Sequence, residues 1–464
     1  MKKILLLLFL SVGCQYLSVN AADKKPYPGG KYSIYRLTLK DKKGTTYSLA
    51  HPEAFLSAKA LQRRNKQHIT VDSTDLPVSA RYLERIKTEK GEVIGQSKWN
   101  NTVLVKVSDS TSLKHLTALP FVVKATKVFT TPDSIATLTP DSVEKDTIAT
   151  KAPRTSRYGK GQKQIAMLSG EKLHEAGFQG QGMTIAIVDG GYMNVDKIGY
   201  LKGVNIAGLK DFVYPYDANL YHLLDHGTMV LSCMAANTDS LLVGTAPRAT
   251  YLLLRSEDGR TENLVEEDYW AQAVEYADSI GADIVNSSLG YNKFDDPKAS
   301  HLYREQDGKT ALISRTASMI APKGMILVNS AGNSGAGTWK RIGFPGDARD
   351  VLTVAALSAD SINATFSSVG PTYDGRVKPD VAARGVAAAL IDGRGIITKA
   401  NGTSFATPIT CGMVACLWQA LPQKTASQIM DLVRRSADRH DHPDNIYGYG
   451  IPNFWKAYQM GLRE

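Results

Sequence analysis

Three polar residues stand where predicted elements begin or end, and their side chains could perform nucleophilic catalysis. Asp189 ends the apolar run 185–188, His226 begins a predicted helix, and Ser404 begins another helix directly after a Gly-Thr pair. A serine at a helix N-terminus lies beside unpaired backbone N–H groups and the positive end of the helix dipole, which suits a nucleophile whose reaction develops an oxyanion. Taken singly, each residue also fits an ordinary turn or capping role.

A fourth candidate is Asn333, which lies in the small-residue loop 331–335 after a predicted buried strand. Its side-chain amide could donate a hydrogen bond to a ligand at that position. A single loop asparagine carries little information without neighbours of complementary chemistry.

These residues belong to a region, 158–464, in which apolar runs alternate with helical stretches. The runs 184–188, 250–254, 284–286, 325–329 and 351–355 predict strands, and 225–236, 266–280, 310–322, 404–421 and 425–437 predict helices. The strands show little polar alternation, which is typical of a parallel sheet covered on both faces. We therefore predict a doubly wound, mostly parallel α/β domain, with reactive groups at the carboxyl ends of its strands.

Residues 22–130 follow a different pattern. Strands are predicted at 32–39, 103–107 and 121–128, and helices at 52–67, 79–86 and 112–119, which indicates a small α+β domain. Residues 131–157 are rich in Thr, Ser, Asp, Lys and Pro and have no periodicity. They predict an exposed linker with a processing site.

The first 21 residues predict a secretory signal peptide. Lys2 and Lys3 precede an apolar run at 4–12, and small residues around Ala21 suit signal-peptidase cleavage. We expect export to the periplasm or the exterior, with lipid attachment at Cys14 as a minor alternative. No other segment reaches the roughly 18 consecutive apolar residues that a transmembrane helix needs, so none is expected.

The distribution of charge argues against a nucleic-acid partner. The chain has a formal net charge of +10, but residues 22–150 carry 21 basic and 13 acidic residues, whereas 151–464 carry 32 of each. A nucleic-acid binder needs a basic face on its working domain. Among the cysteines, Cys233, Cys411 and Cys416 are predicted to be buried packing residues; the last two are five positions apart on a predicted helix, which is poor geometry for a disulfide.

Together the four candidates resemble the subtilase family of subtilisin-like serine peptidases. The resemblance is carried by the strand ending in Asp189 and by three boxes: His-Gly-Thr at 226–228, Ala-Gly-Asn-Ser-Gly at 331–335, and Gly-Thr-Ser-Phe-Ala-Thr-Pro at 402–408. It spans roughly 160–458, and the order Asp, His, Asn, Ser is that of the family. One departure is that Gly190 and Gly191 follow the aspartate, where the family usually has Ser or Thr before Gly.

The resemblance implies a role for each candidate. Ser404 would be the nucleophile, His226 the general base and Asp189 the group that orients the imidazole. Asn333 and the backbone N–H of Ser404 would bind the oxyanion. This chemistry requires no cofactor. Structural calcium is a family possibility, although the spacing of Asp295, Asp296 and Asp307 matches no defined calcium loop.

The resemblance also implies how substrate would bind. Ser288, Leu289 and Gly290 would align the substrate backbone by strand addition. Gly343 would form the floor of the primary specificity pocket, which favours large apolar P1 residues and broad specificity. A set of acidic residues either contacts basic side chains further upstream or forms a solvated loop: Glu257, Asp258, Glu262, Glu266 and Glu267.

The N-terminal domain more weakly resembles the family's inhibitory propeptides, which act as intramolecular chaperones and block the cleft. A retained accessory domain is the alternative. Two other functions are less consistent with the sequence of the whole chain. A serine esterase of the α/β-hydrolase type would need a G-x-S-x-G elbow and the order Ser, Asp, His, and the sequence has neither. An inactive subtilase fold acting as a binding protein is disfavoured because all four catalytic positions are filled.

Overall fold

The computed structural model describes residues 24–136, 142–143, 156–216, 219–238 and 240–464. The predicted signal peptide, Cys14 and most of the expected linker lie outside these residues. Within the described ranges, no helix has the length and apolarity needed to cross a membrane.

The N-terminal domain is an antiparallel sheet with helices on one face. Its elements are β1 (Lys24–Lys25), β2 (Ser33–Leu39), α1 (Ala58–Lys66), α2 (Ala80–Thr88), β3 (Glu92–Ser97), β4 (Thr102–Val107), α3 (Ser110–Thr117), β5 (Val122–Thr130) and β6 (Ile135–Ala136). The four central strands have the order β3-β4-β2-β5. On one face of this sheet, Leu37 and Val105 pack with Ile86 of α2 and Leu116 of α3.

Three details of this domain differ from the sequence prediction. The helix expected at 52–67 is a short 3-10 turn (Pro52–Ala54) followed by α1, because Ser57 accepts a hydrogen bond from Ala60 N and caps α1 there. Strand β3 was missed because its residues are mostly polar and include Gly95. Residues 131–136, which the sequence placed in the linker, contain β6, which pairs with β1.

The second domain contains the remaining elements. They are α4 (Gln162–Ala166), α5 (Gly170–Glu175), β7 (Thr184–Asp189), β8 (Asn205–Asp211), α6 (His226–Ala235), β9 (Asn237–Thr238), β10 (Leu242–Val243), β11 (Thr250–Arg255), α7 (Val265–Ile280), β12 (Ile284–Ser287), α8 (Leu312–Ser318), β13 (Ile326–Ser330), β14 (Leu352–Leu357), β15 (Val381–Arg384), β16 (Ala388–Ile391), β17 (Ile397–Ala400), α9 (Thr403–Ala420), α10 (Ala426–Ser436) and α11 (Phe454–Gly461).

Seven strands of this domain form one sheet in the order β15-β14-β13-β12-β7-β11-β8, and every pairing between them is parallel. Successive residues of β7 enter opposite cores: Ile185 and Ile187 pack towards α6 and α9, whereas Ala186 and Val188 pack towards α7 and α8. Because both faces are buried, the strand lacks polar alternation. The predicted doubly wound fold is confirmed.

The two outermost strands of this sheet, β8 and β15, were missed. Strand β8 is partly exposed, and its three apolar residues are interrupted by a glycine and flanked by polar residues, so it has no continuous apolar run. The predicted cysteine environment is confirmed: Cys233, Cys411 and Cys416 are free and buried, and burial raises the pKa of each thiol.

The second face of the N-terminal sheet packs against the beginning of α7. Ile34 and Phe129 of the sheet belong to one buried cluster with Val265 and Tyr269 of α7. The N-terminal domain and the α/β domain therefore share an apolar core.

Candidate active site

Three adjacent strands end at one edge of the parallel sheet, and the candidates Asp189, Ser288 and Asn333 lie at or shortly after their ends. Strand β7 ends at Asp189, β12 at Ser287 and β13 at Ser330, and the sheet order places β7 beside β12 and β12 beside β13. Strand β11 pairs with one edge of β7, and the next strand in the chain, β12, pairs with the opposite edge. In an open α/β sheet, such a switch in strand order creates a crevice at the carboxyl ends.

Asp189 and His226 are directly paired. Asp189 is fully buried, and His226 Nδ1 lies 2.9 Å from its Oδ1 and 3.0 Å from its Oδ2. The carboxylate also accepts a hydrogen bond from Gly190 N at 2.8 Å. A proton on Nδ1 would donate to this carboxylate and leave Nε2 as the basic nitrogen of the imidazole.

A close backbone contact sets the position of His226. The histidine is the first residue of α6, and Gly227 N donates to Gly191 O at 3.0 Å. A Cβ on Gly227 would lie 2.4 Å from that oxygen. Only glycine therefore allows the start of α6 to pack on the turn after Asp189.

The charge around His226 favours its protonated form. Burial of the ring lowers the pKa of His226. The Asp189 carboxylate and, to a smaller degree, Asp225 and Glu257 raise it by more than burial lowers it, so the pKa lies above its ordinary value. An imidazolium that forms during proton transfer is therefore stabilised in this site.

Ser404 is the second residue of α9, so its backbone N–H has no acceptor within the helix. The side chain is nearly buried, and its Oγ donates to Ser288 O at 3.2 Å. In the described part of the chain no hydrogen bond joins this hydroxyl to His226. Catalytic hydrogen bonds commonly tighten only when substrate is bound, and a χ1 rotation of Ser404 changes the direction of its hydroxyl.

The amide of Asn333 has a defined orientation. Its Oδ1 accepts hydrogen bonds from Thr403 N at 3.0 Å and from Thr403 Oγ1 at 2.9 Å. The NH₂ group therefore points away from Thr403 as the donor end of the side chain. Thr403 was not among the residues predicted from the sequence, although its position directly before Ser404 indicates a role beside the proposed nucleophile.

The residues expected to bind substrate lie side by side. Gly290 and Gly343 approach closely: a Cβ on Gly343 would lie 3.5 Å from Gly290 Cα. The next residues, Tyr291 and Phe344, exchange two backbone hydrogen bonds of 2.8 and 2.9 Å. Ser288 is tied to the start of α9, because its Oγ donates to Ser404 O at 2.9 Å.

The acidic residues after β11 do not form one solvated loop. Glu266 and Glu267 are buried; Glu266 accepts hydrogen bonds from Asp258 N and Asn263 N, and Glu267 pairs with His301. Asp258 is buried as well and accepts hydrogen bonds from Tyr27 Oη and Arg260 Nε. The solvated-loop interpretation is therefore wrong for these three residues.

Glu257 lies beside the turn that follows Asp189. It is half-buried near Gly190, and its carboxylate accepts a hydrogen bond from Tyr291 Oη. Burial, opposed by this bond and assisted by the negative charge of Asp189, raises the pKa of Glu257 to about 7. An acidic group that titrates near neutrality therefore lies beside Asp189.

Within the described residues, Asp295, Asp296 and Asp307 do not come together as one cluster of ligands. Their carboxylates accept backbone hydrogen bonds: Asp295 from Glu262 N, Asp296 from Lys298 N, and Asp307 from Lys309 and Thr310 N. Over the described ranges, no group of three or more His, Cys, Asp or Glu residues is placed to hold a metal ion.

Helix α7 presents acidic side chains to the N-terminal domain. Asp268 accepts two hydrogen bonds from Arg36, at 2.6 and 2.5 Å. Glu275 accepts bonds from Ser97 Oγ and from the backbone N–H groups of Lys98 and Trp99.

A second acidic contact lies near the end of α7. Asp278, which is fully buried, contacts Arg63, Arg64 and Lys98. These cations lower the pKa of Asp278, although burial alone would raise it. Basic residues of the N-terminal domain therefore pair with acidic residues of α7 in the second domain.

Comparison with known proteins gives two matches along the chain. The family model described as "Subtilase family" matches residues 180–450, and the family model described as "Peptidase S8 propeptide domain, Bacteroidota" matches residues 34–145. Among individual relatives, Subtilisin NAT of Bacillus subtilis subsp. natto is 28% identical over 68% of this chain and 75% of its own length. Serine protease AprX of Bacillus subtilis (strain 168) is 31% identical over 59% of this chain and 65% of its own length.

Proposed function

The chain belongs to the subtilase family and is a subtilisin-like serine endopeptidase preceded by a propeptide domain, and on that premise we propose that Asp189, His226 and Ser404 form its catalytic triad. The observation that carries this proposal is the pairing of His226 Nδ1 with the buried Asp189 carboxylate at the sheet edge where Ser404 begins α9.

In the proposed mechanism, Ser404 Oγ turns from Ser288 O to His226 Nε2 and attacks the scissile carbonyl. His226 takes the proton and then gives it to the leaving amine, while Asp189 holds the imidazole and stabilises its charged form. The acyl-enzyme is hydrolysed by water in the reverse sequence of proton transfers. Every group in these steps is a side chain or backbone group of this chain, so the chemistry needs no metal or organic cofactor.

The oxyanion of the tetrahedral intermediate would be bound by two donors, Asn333 Nδ2 and Ser404 N. Two features support this role. Thr403 fixes the orientation of the Asn333 amide, and the N-terminus of α9 adds favourable dipole charge. Donors held in place before reaction stabilise charge that develops in the transition state.

We assign Ser288, Leu289 and Gly290 to the substrate backbone and Gly343 to the floor of the P1 pocket. The close approach of Gly290 and Gly343 supports this assignment, because neither adds a side chain where the two segments meet. A pocket without a charged or bulky floor residue fits large apolar P1 side chains. We propose broad specificity with that preference.

We propose that the N-terminal domain inhibits the peptidase within the same chain and assists its folding. Buried ion pairs and a shared apolar cluster join the two domains. In addition, Val143 lies against the loop 393–395: a Cβ on Gly395 would be 3.8 Å from Val143 Cγ1, and Gly393 N donates to Asp225, the residue before His226. A residue that follows the N-terminal domain therefore contacts a loop that is bonded to the residue before His226.

We propose that residues 1–21 are a signal peptide, 22–136 the propeptide domain including β6, 137–157 a linker that is cleaved, and 158–464 the mature peptidase. Export to the periplasm or exterior follows from the signal peptide, with lipid attachment at Cys14 as the alternative.

Expression of residues 22–464 tests the precursor arrangement. Wild-type chain and Ser404→Ala are followed by mass spectrometry and by casein hydrolysis. The proposal predicts that only the wild type loses its N-terminal domain and degrades casein. Equal shedding by both chains would contradict self-processing. A wild type that alone sheds the domain but leaves casein intact would contradict the proposed broad specificity, because removal of the domain already requires peptide-bond cleavage.

A further inference from the structure

The turn after Asp189 carries no side chain at its first two positions. Crowding explains one glycine: a Cβ on Gly191 would lie 2.7 Å from Leu223 Cβ and 2.8 Å from Leu224 N. A Cβ on Gly190 would meet only side chains, a Leu224 methyl group at 3.0 Å and Glu257 Cβ at 3.4 Å. The turn therefore has no side chain of its own to fix its backbone, and groups from other elements must hold it.

Arg255 supplies such a group from the neighbouring strand. It is the last residue of β11, and the sheet register places it opposite Asp189 on β7 and Asp211 on β8. Its side chain is 1% exposed. Nε donates to Gly190 O at 3.1 Å, and Nη1 donates to Asp211 Oδ2 at 2.8 Å.

The peptide groups on both sides of Gly190 are thereby fixed. Its N–H donates to Asp189 Oδ1 at 2.8 Å, and its carbonyl accepts from Arg255. Asp189 contacts His226 Nδ1. A continuous line of hydrogen bonds therefore runs from Asp211 through Arg255 and Gly190 to the proposed triad.

The guanidinium group is suited to this position. It is planar and can donate in two directions at once, whereas a lysine ammonium is a point charge that cannot reproduce this fork. Its plane also rests on the ring of Tyr216, 4.1 Å from the ring centroid. These contacts leave Arg255 little freedom to move away from Gly190.

We propose that Arg255 is a positioning residue for the catalytic carboxylate: by holding the Gly190 carbonyl, it keeps the Gly190 N–H and the Asp189 carboxylate aligned with His226. The inference rests on the proposed triad. Arg255 contacts no reacting atom in this role, so its loss should lower kcat while leaving KM nearly unchanged.

The alternative is that Arg255 serves only as one half of a buried ion pair with Asp211. The two roles predict opposite rankings of kcat for two variants. Arg255→Lys keeps a positive charge for Asp211 but loses the Nε donor to Gly190. Asp211→Asn removes the ion pair but leaves Arg255 and an acceptor oxygen in place.

The test uses the processed wild type, Arg255→Lys, Asp211→Asn and the control Arg260→Lys on a chromogenic peptide substrate. Arg260 is a matched control because it also binds an aspartate, Asp258, and stacks on Tyr216 at 4.4 Å, but its hydrogen bonds do not involve Gly190. Measured quantities are kcat, KM, the pH dependence of kcat/KM and the thermal midpoint.

We expect Arg255→Lys to lower kcat about 10- to 100-fold, the range that follows small misplacement of a catalytic group, with KM within about twofold. The acidic limb of kcat/KM should move to lower pH, because a misaligned Asp189 raises the pKa of His226 less. Asp211→Asn should keep kcat within about threefold of wild type even if its thermal midpoint falls, and Arg260→Lys should match wild type.

A larger loss of kcat in Asp211→Asn than in Arg255→Lys, or wild-type kcat in a folded Arg255→Lys, would overturn the proposal. If Arg255→Lys does not fold, Asp211→Asn decides alone: kcat within threefold supports positioning, and a tenfold fall contradicts it. An inactive wild type would instead refute the proposed triad, so the two failures are distinguishable.

Discussion

Arg36 and Asp268 form a two-point ion pair across the boundary between the propeptide domain and the peptidase domain. Arg36 Nε lies 2.6 Å from Oδ1 and Nη2 lies 2.5 Å from Oδ2, and both side chains are almost excluded from solvent. Such bidentate geometry is the strongest form of this interaction in proteins. Removal of either charge should therefore weaken the docking of the two domains.

Breaking this pair should weaken docking. Arg36→Met in the Ser404→Ala precursor is expected to cost about 3–5 kcal/mol of unfolding free energy, because the Asp268 carboxyl group is left buried without its partner. Asp268→Asn should behave similarly, and the double variant should cost less than the sum of the two. Denaturant unfolding measures these changes.

The control for this experiment is the exposed pair of Glu84 and Lys87 in the same domain, whose side chains are 71% and 57% accessible. Glu84→Gln should cost less than about 1 kcal/mol. A cost for Arg36→Met no greater than that of the control would contradict a docking role for the buried pair.

Glu275 should make docking depend on pH. Burial, opposed by hydrogen bonds from Ser97 and from the backbone of Lys98 and Trp99, raises the pKa of Glu275 to about 7. When the domains separate, its pKa returns to an ordinary value near 4.5. Docking therefore takes up a proton between these values, and this contribution is lost as the pH rises through 7.

From pH 6 to pH 8 we expect docking to weaken about tenfold, or about 1.4 kcal/mol. Nearby Asp278 stays charged over this interval, because its pKa is lowered by Lys98, Arg63 and Arg64. Unfolding of the Ser404→Ala precursor at the two pH values measures the effect, with Glu275→Gln as the matched variant. An unchanged pH slope in Glu275→Gln would exclude this carboxyl as the source.

The sequence identified the catalytic candidates because their chemistry is encoded locally. Asp189 ends an apolar run, and His226, Asn333 and Ser404 lie in short boxes whose composition restricts the local backbone. The central strands were predicted for a similar reason: burial on both faces gives continuous apolar runs. Edge strand β8 has only partial burial and therefore no such run.

Long-range polar contacts could not be predicted in the same way. The sequence showed the basic excess of residues 22–150 but not its partners, because Arg36 and Asp268 are 232 positions apart. The contact between Arg255 and Gly190 likewise depends on sheet register. Composition gives the sum of charges, whereas pairing is fixed only by the tertiary fold.

Asn333→Ala should lower kcat about 10²- to 10³-fold, the cost of removing one oxyanion-hole donor, with little change in KM. Thr403→Val should have a smaller effect, because it removes only one of the two hydrogen bonds that orient the amide. Asn205→Ala, at an exposed position of β8, is the control. Steady-state kinetics on a chromogenic peptide would contradict this role if Asn333→Ala retained wild-type kcat.

Gly343→Val should change P1 preference without disturbing the fold. A Cβ at this position meets Gly290 only at an ordinary contact distance of 3.5 Å, but a branched side chain would occupy the floor of the proposed pocket. We expect kcat/KM for a P1 phenylalanine substrate to fall at least tenfold, with a much smaller change for P1 alanine. Equal losses on both substrates would refute the assignment of Gly343 to the P1 pocket.

The most direct test of the account is covalent labelling of the processed enzyme by a fluorophosphonate, followed by peptide mapping. We expect one modified residue, Ser404, with labelling slowed by several orders of magnitude in His226→Ala and in Asp189→Asn. Modification of a different serine, or no labelling of a folded and processed wild type, would contradict the proposed triad.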